Sequence, residues 1–421
     1  MHIITIQESF LDVIQDVEAG KVTHENIWVA RRDTSNEEHQ EYYDVTVLMK
    51  EGKLAFTSDT APASYLKFQQ NGHRQFTVDI ADELGSHVYH LRFPDSKLNL
   101  GLRGSKISTS AILPDGTRLL IGTDAGHIMQ YDTTTARLVS EIKNAHLADI
   151  LQIVVLPSSQ VMMSVGLDLQ TKLWPVTSGA VNLPARVFLA QKGQITDISI
   201  IDRGRNFLTA SVDGSVDLWE CSTAQVVSEF RRIGGLKDPV TCIALAEGQP
   251  VKPELTVGGD LLHGCSKSLV FVGYKLGTIQ QYSVAGHYQT GTRLQRPVAV
   301  TLLHVEGGYL VSGYADGLLR VYEMKLNQET KEVQSEDLTH SYYDLQLNPN
   351  FPIEHASVSS KKQGLSIVVS NGPELLLQVD FDGANFCYTQ LVGLSELFRI
   401  VLIEKNGSNL YVATENDIAQ Y

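Results

Sequence analysis

Serine, histidine and aspartate recur in one part of the chain in a combination that could activate a hydroxyl for nucleophilic attack. The side chains concerned are His146, Asp168, Trp174, Ser211, Asp213 and Trp219. A hydrolase of this type needs all three polar residues within hydrogen-bond reach of one another. These residues fall into two segments, one ending at Trp174 and one ending at Trp219, and neither has the full set. Gly166 stands where the first segment would need its serine, and the second segment has no histidine. We therefore predict no catalytic residue here. Instead, these side chains should tie the turns and strands of a β-repeat together, since a buried tryptophan N–H needs an acceptor.

Metal and cofactor sites are not predicted either. His87 and His90 stand three residues apart on a predicted strand, so their side chains would face opposite sides of it. The glycines follow neither the phosphate-loop pattern nor the dinucleotide-binding pattern. The cysteines lack the paired spacing of a zinc site or a disulfide framework, so we expect reduced thiols at Cys221, Cys242, Cys265 and Cys387.

A short strand after a polar turn recurs along the chain and ends each time on an aromatic or apolar residue. In its clearest copy, Gly214 lies five residues before Trp219. The strands of the seven copies end on Tyr131, Trp174, Trp219, Tyr282, Tyr322, Leu377 and Tyr421. The gaps are 43, 45, 63, 40, 55 and 44 residues, and the two longest contain polar insertions. The other four match the period of about 40–45 residues of a four-stranded WD-type propeller blade.

The repeats predict an all-β fold, a seven-bladed WD-type β-propeller that occupies residues 85–421. The seventh copy ends on Tyr421, so we expect its outer strand to come from elsewhere. The run 85–93 alternates polar and apolar residues and lies just before the first blade. We predict that this strand completes the seventh blade and closes the ring, because closure pairs strand edges that would otherwise be open to aggregation.

Residues 1–84 form a segment of different character. It holds 15 acidic and 7 basic residues, and therefore −8 of the formal net charge of −14. Its pattern indicates a strand at Ile3–Ile6, a helix at Glu8–Glu18, another strand at Ile27–Arg31, and a hairpin that turns at Glu51-Gly52. We predict a small acidic N-terminal domain of the α/β or α+β class.

Charge and hydropathy exclude several classes of function. A net charge of −14 and a pI near 5.4 argue against an electrostatic grip on nucleic acid or anionic lipid. No run of eighteen apolar residues and no secretory signal is found, so we expect no membrane span and a location in the cytoplasm and nucleus.

Acidic residues occur where the loops on one face of the propeller are expected. Asp149 and Asp197 begin first strands, where a side chain can face the solvent of the central channel, and the others lie in longer loops. Together they would raise the negative potential of one rim and steer a basic partner towards it. The predicted partner-binding residues are Asp149, Asp197, Asp238, Glu336 and Asp337.

Two further stretches carry a resemblance to a known family. "DRGRN" lies between the first two strands of the third repeat and is followed by "LWEC", and "GSHVYHLRF" precedes the first repeat. With the preceding repeat, these motifs closely resemble the proteasomal ATPase-associated factor family of WD-repeat assembly chaperones. The resemblance covers residues 85 to about 245 well and the later repeats more loosely.

The resemblance implies a non-enzymatic chaperone of proteasome regulatory-particle assembly. Such a protein, expected to be monomeric, would bind the C-terminal helical domain of a proteasomal AAA ATPase subunit and limit premature docking on the core particle. Which subunit is bound, what the N-terminal domain contacts and what triggers release stay open. The alternatives are a general WD-repeat adaptor, such as a substrate receptor for ubiquitin ligation, and an enzyme that uses the central channel.

Overall fold

A computed structural model describes the chain except at residues 35, 59–64, 83–84, 99, 101–103, 178, 180, 182, 190, 233–236, 248–260, 325–340, 374 and 396–397. The first elements in chain order are β1 (His2–Ile6), α1 (Phe10–Glu18), β2 (His24–Asp33), β3 (Asn36–Lys50), β4 (Lys53–Ser58), β5 (Tyr65–Gly72), β6 (Gln75–Asp82) and β7 (Gly85–Arg92). Strands β1 to β4 form one antiparallel sheet, and β5 to β7 form a second antiparallel group. Of the two classes predicted for this part of the chain, α+β describes it, because its helix packs on antiparallel strands.

Local sequence explains these elements. Helix α1 buries Phe10, Val13, Ile14 and Val17, which recur at the spacing of one helical face. The hairpin between β3 and β4 turns at Glu51-Gly52, as the sequence predicts, and both residues have positive φ. That conformation matches the twist of a two-residue hairpin loop, and glycine adopts it without steric strain.

The core of this N-terminal region is aromatic. Phe10 of α1 lies 5.6 Å from Phe68, 5.1 Å from Phe76 and 4.9 Å from Phe93, measured between ring centroids. The same core includes the buried Tyr89 and Leu91 of β7. The alternating apolar residues of the run 85–93 therefore pack against helix α1 and its sheets.

The propeller follows as seven four-stranded blades, counted over the described residues, and the sheet of blade 6 continues into β7, β6 and β5. In each blade, strands a to d run from the central channel to the periphery. Blades 1 to 3 have these strands: Ile107–Ile112, Arg118–Thr123, Ile128–Asp132 and Leu138–Ile142; Ile150–Val155, Val161–Gly166, Thr171–Pro175 and Arg186–Phe188; Ile195–Ile201, Asn206–Ser211, Ser215–Glu220 and Gln225–Arg231. Blades 4 and 5 have Val240–Glu247, Ser268–Tyr274, Thr278–Ser283 and Tyr288–Gln295; Val300–Glu306, Tyr309–Tyr314, Leu318–Glu323 and Tyr342–Gln346.

The last two blades show how the ring is joined to the rest of the chain. Blade 6 has Ile353–Ser360, Leu365–Asn371, Leu375–Phe381 and Phe386–Leu391, and blade 7 has Ile400–Asn406, Asn409–Thr414, Ile418–Gln420 and Ser96–Leu98. The b strands are almost wholly buried between neighbouring blades, as in Asn206–Ser211. The a strands of blades 2 to 7 each contain a register shift next to their first residue, which re-aims the following side chains.

The ring closes through a different segment from the one predicted. Ser96–Leu98 pairs antiparallel with Ile418–Gln420 and supplies the outer strand of blade 7. The predicted strand 85–93 instead pairs with β6 along its whole length and adds to the outer edge of blade 6, where Gln390 faces Leu91. The predicted boundary between residues 84 and 85 is therefore wrong, since β7 belongs to the sheet and core of the N-terminal region. Tyr89, Leu91 and Phe93 are buried there, whereas the closing strand has only three mainly exposed residues.

A side chain of blade 6 also fixes β1 against the propeller. The amide of Gln390 donates from Nε2 to the carbonyl of Ile4 at 2.6 Å and accepts the Ile4 N–H at 3.0 Å. The side chain thus pairs with the edge strand as a neighbouring backbone would. No helix in the described ranges has the length and apolar character needed to cross a membrane.

Candidate functional site

One face of the propeller is formed by the loops that enter strands a and by the turns between strands b and c, and we call it the loop face. The six residues singled out in the sequence as turn and strand residues lie beneath it. In blade 2, His146 Nδ1 lies 2.9 Å from Asp168 Oδ1, and His146 Nε2 lies 2.7 Å from Ser164 Oγ. Trp174 Nε1 donates to the same Ser164 oxygen at 2.9 Å.

The proton positions in this network follow from its donors. The Trp174 N–H can only donate, so the Ser164 oxygen accepts from it and its own proton goes to His146 Nε2. His146 then donates from Nδ1 to Asp168. Burial lowers the pKa of His146 more than Asp168 raises it, so the ring is neutral. The serine oxygen is buried and already engaged on both sides, and it cannot serve as an exposed nucleophile.

Blade 3 has the same arrangement with other residues. Thr209 Oγ1 accepts from Trp219 Nε1 at 2.8 Å and from Gln191 Nε2 at 2.5 Å, so Gln191 takes the place of the histidine. The hydroxyl partner is therefore Thr209 and not Ser211, which accepts the Asp213 N–H at 3.2 Å. Asp213 in turn accepts from the Ser215 N–H at 2.9 Å and closes the turn.

The sequence contains a signal that identifies these hydroxyls. Trp174 pairs across the strands with Met162, and Trp219 pairs with Phe207. The hydroxyl residue follows two positions later on the same face of strand b, where a diagonal contact is within reach of the indole. It therefore lies ten residues before the tryptophan in both blades.

Blades 4 and 5 replace the network by tyrosine pairs. The hydroxyls of Tyr274 and Tyr282 lie 2.9 Å apart, and those of Tyr314 and Tyr322 lie 3.1 Å apart. Burial raises the pKa of Tyr274 and Tyr314, so these phenols keep their protons. The position on strand c is thus shared by all four blades, but its partner on strand b lies eight residues earlier in blades 4 and 5 and ten residues earlier in blades 2 and 3.

The predicted partner-binding acids lie in unlike environments. Asp238 is buried, and it binds Arg232 at 2.8 Å and the Leu276 N–H at 2.9 Å, so it is a structural residue and not a surface contact. Asp149 is exposed at the mouth of the central channel. Glu336 and Asp337 lie outside the described residues.

Asp197 lies inside the channel wall. Its carboxylate accepts from the Ile198 N–H at 2.8 Å, the Ile243 N–H at 2.9 Å and Gln152 Nε2 at 3.2 Å. It thereby joins the inner strands of three consecutive blades. Burial raises its pKa to about 6, although the three donors favour the charged form. Asp197 is therefore placed to hold the ring together at the channel wall, and its predicted contact with a partner stays a prediction.

The channel itself has a volume of about 830 Å³ and is lined by the a strands. Burial lowers the pKa of His304 and lowers that of His355 to about 4, so both imidazoles are neutral near pH 7. At the mouth, Arg399 Nη2 lies 2.9 Å from a carboxylate oxygen of Glu354. Within the described residues, no group of three or more histidine, cysteine or acidic side chains could hold a metal ion.

A set of exposed apolar side chains lies on the loop face of blades 2 to 4. The sequence does not predict it, since isolated leucines in polar turns give no periodic signal. We call this set the leucine patch. Its members are Leu147, Leu167, Leu169, Leu189, Val212 and Leu276. The largest exposed fractions are 86% at Leu147 and 67% at Leu189.

Leu169 has a second unusual property. Its φ is 63°, in the left-handed region that disfavours residues with a Cβ atom. The matching turns of four other blades place Gly126, Gly214, Gly277 and Gly317 at this position. A leucine there costs about 1 kcal/mol or more, and its side chain is 37% exposed.

Comparison with known proteins agrees with the repeat architecture. Residues 183–220 match the family described as WD domain, G-beta repeat. The chain is also 32% identical over 267 residues to the 26S proteasome regulatory subunit RPN14 of Saccharomyces cerevisiae. That match covers 58% of this chain and 62% of the yeast protein, so it spans less than two thirds of the relative. Together with the seven observed blades, the WD-domain match shows a WD-type β-propeller fold, and the chain is similar in sequence to a yeast proteasome regulatory subunit.

Proposed function

We propose that this chain is a non-enzymatic assembly chaperone of the proteasome regulatory particle, acting in the cytoplasm and nucleus. The observation that carries the proposal is the 32% identity over 267 residues to a regulatory subunit of the 26S proteasome. A non-catalytic role is supported by the loop face, where the residues that resemble a catalytic triad are buried and bonded to a tryptophan.

The proposed partner is the C-terminal helical domain of a proteasomal AAA ATPase subunit. A closed ring of sheets presents its loops on a rigid frame, so binding requires little ordering of the chain. The bound propeller, with the N-terminal region beside blade 6, would occlude the neighbouring surface and delay docking on the core particle. It would also stabilise the ATPase intermediate by mass action, to an extent set by its concentration relative to Kd.

The test is binding of the full chain to each proteasomal ATPase C-terminal domain in turn, measured by calorimetry. We expect one domain to bind and the bound chain to slow assembly of that ATPase with the core particle. The function is refuted if no domain binds. Co-purification then decides the alternative, since cullin-type partners would indicate a substrate receptor for ubiquitin ligation.

A further inference from the structure

The leucine patch occupies only one arc of the loop face. In the described residues, the corresponding loops of blades 1, 5, 6 and 7 expose no large apolar side chain. Scattered exposed leucines are ordinary on protein surfaces, but a contiguous apolar surface indicates an interaction site. The asymmetry therefore distinguishes blades 2 to 4 from the rest of the ring as a candidate interaction surface.

Backbone hydrogen bonds hold the patch together. The Leu147 N–H donates to Asp168 Oδ2 at 3.3 Å, and the Leu167 N–H donates to the Asp149 carbonyl at 2.9 Å, so the entry loop and the turn of blade 2 lie side by side. Leu189 directly follows the last residue of strand d, which pairs with the start of strand c just beyond Leu169.

Blades 3 and 4 hold their exposed apolar residues through bonds within each blade. The Val212 N–H donates to the Gln194 carbonyl at 3.0 Å, and the Leu276 N–H donates to Asp238 at 2.9 Å. In both blades the turn is thereby bonded to the entry loop of the same blade. The apolar side chains are therefore presented in fixed positions, which lowers the entropy lost on binding.

Leu169 supplies independent support. Leu169 is unfavourable for folding in two ways, because its apolar side chain is exposed to solvent and its backbone is strained in the left-handed conformation. Strained residues of this kind persist where the surrounding structure holds them, and they cluster at functional sites. Glycine would satisfy the turn, as it does in four other blades, so the turn itself does not require a leucine at this position.

The charges beside the patch define the complementary surface. Lys192, Lys237 and Lys275 are exposed, and none of them forms an ion pair with another described residue. They lie in the same entry loops and turns as the patch, in blades 3 and 4. By contrast, Asp149 is the one exposed member of the predicted acidic rim that the structure describes. A partner for this arc should therefore offer carboxylates beside an apolar row.

We propose that the leucine patch is the docking surface for an amphipathic helix whose apolar face is flanked by acidic side chains. The assignment of this helix to an ATPase C-terminal domain rests on the proposed function. In this arrangement the leucines fill the centre of the interface and the three lysines form its rim. The lysines then add to association rate and orientation more than to affinity.

The experiment measures Kd and thermal melting for the full chain with the ATPase C-terminal domain that binds it. Leu147→Ser and Leu169→Gly should each weaken binding about tenfold or more, because each removes an apolar side chain from the centre of the contact. Leu169→Gly should melt at the same temperature as the wild type or higher, since glycine relieves the left-handed strain. Leu183→Ser is the matched control, because Leu183 is 80% exposed outside the patch, and its Kd should not change.

Each outcome decides one part of the account. If the wild type binds and both patch variants bind equally well, the patch is not the contact and the proposed function survives. If no ATPase domain binds the wild type, the proposed function and this assignment both fail. Lys275→Glu should slow association and weaken binding; tighter binding would show that the partner's flanking charges are basic and overturn the acidic helix.

Discussion

Replacing Thr209 by valine tests the buried network of blade 3. The substitution keeps the shape of the side chain and removes only the oxygen that accepts from Trp219 Nε1 and Gln191 Nε2. Each buried donor left without a partner costs about 1–3 kcal/mol. Gln191 lies at the edge of the buried region and can turn towards water, so we expect a loss of about 2–3 kcal/mol in the free energy of unfolding.

The assay is urea unfolding of the full chain, followed by tryptophan fluorescence. Ser211→Ala is the matched control, because it also removes a buried hydroxyl but affects only contacts to Asp213, whose N–H loses its acceptor. We expect it to cost about 1 kcal/mol. Trp219→Phe completes a double-mutant cycle, and Thr209→Val should cost less by about 1 kcal/mol or more in that background. A larger loss from Ser211→Ala than from Thr209→Val would refute the assignment of Thr209 as the hydroxyl that binds Trp219.

Four further substitutions test other contacts. Asp213→Ala should lower stability by about 1 kcal/mol. Burial would raise the pKa of Asp213, but hydrogen bonds from Ser215 hold it below its ordinary 3.8. The stabilisation that Asp213 gives to the folded state should therefore disappear as pH falls from about 4 through the lower folded-state pKa. A difference in stability between mutant and wild type that grows in acid would contradict this. Asp197→Lys should lower the melting temperature strongly, whereas Asp149→Lys should leave it unchanged. Equal melting temperatures for the two variants would show that Asp197 does not link the blades. Gln390→Leu should raise the rate of amide exchange in β1, and unchanged exchange would show that its bonds to Ile4 do not hold this strand.

The repeat architecture could be predicted because each blade carries its own local signals. The glycine five residues before the aromatic residue marks the turn between strands b and c, and Gly214 has the positive φ that this turn requires. The helix and hairpin of residues 1–84 were likewise predictable from the buried face of α1 and from Glu51-Gly52. Such features depend on residues close together in sequence.

Ring closure could not be predicted in the same way. Both 85–93 and 96–98 lie ahead of blade 1, and the longer run has the stronger β pattern. Its alternation reflects burial against the aromatic core around Phe10, which no local pattern reveals. Strand register across distant parts of the chain is set by which face finds a core.

The candidate site shows the same limit. Sequence alone predicts one partner-binding role for Asp149 and Asp197, at the starts of inner strands, and for Asp238, in a longer loop. The structure separates them by burial and partners: Asp149 is exposed, Asp197 links neighbouring blades, and Asp238 is buried against the turn of blade 4. The leucine patch depends on loops from three blades coming together, so it could be recognised only once the ring was assembled.

The most direct test of the account is amide hydrogen exchange of the full chain, alone and with the ATPase C-terminal domain that binds it. Our account predicts slower exchange in the loops that carry Leu147, Leu167, Leu189, Val212 and Leu276, with the turns of the opposite face unchanged. Protection confined to the N-terminal region, or to the opposite face of the ring, would contradict it.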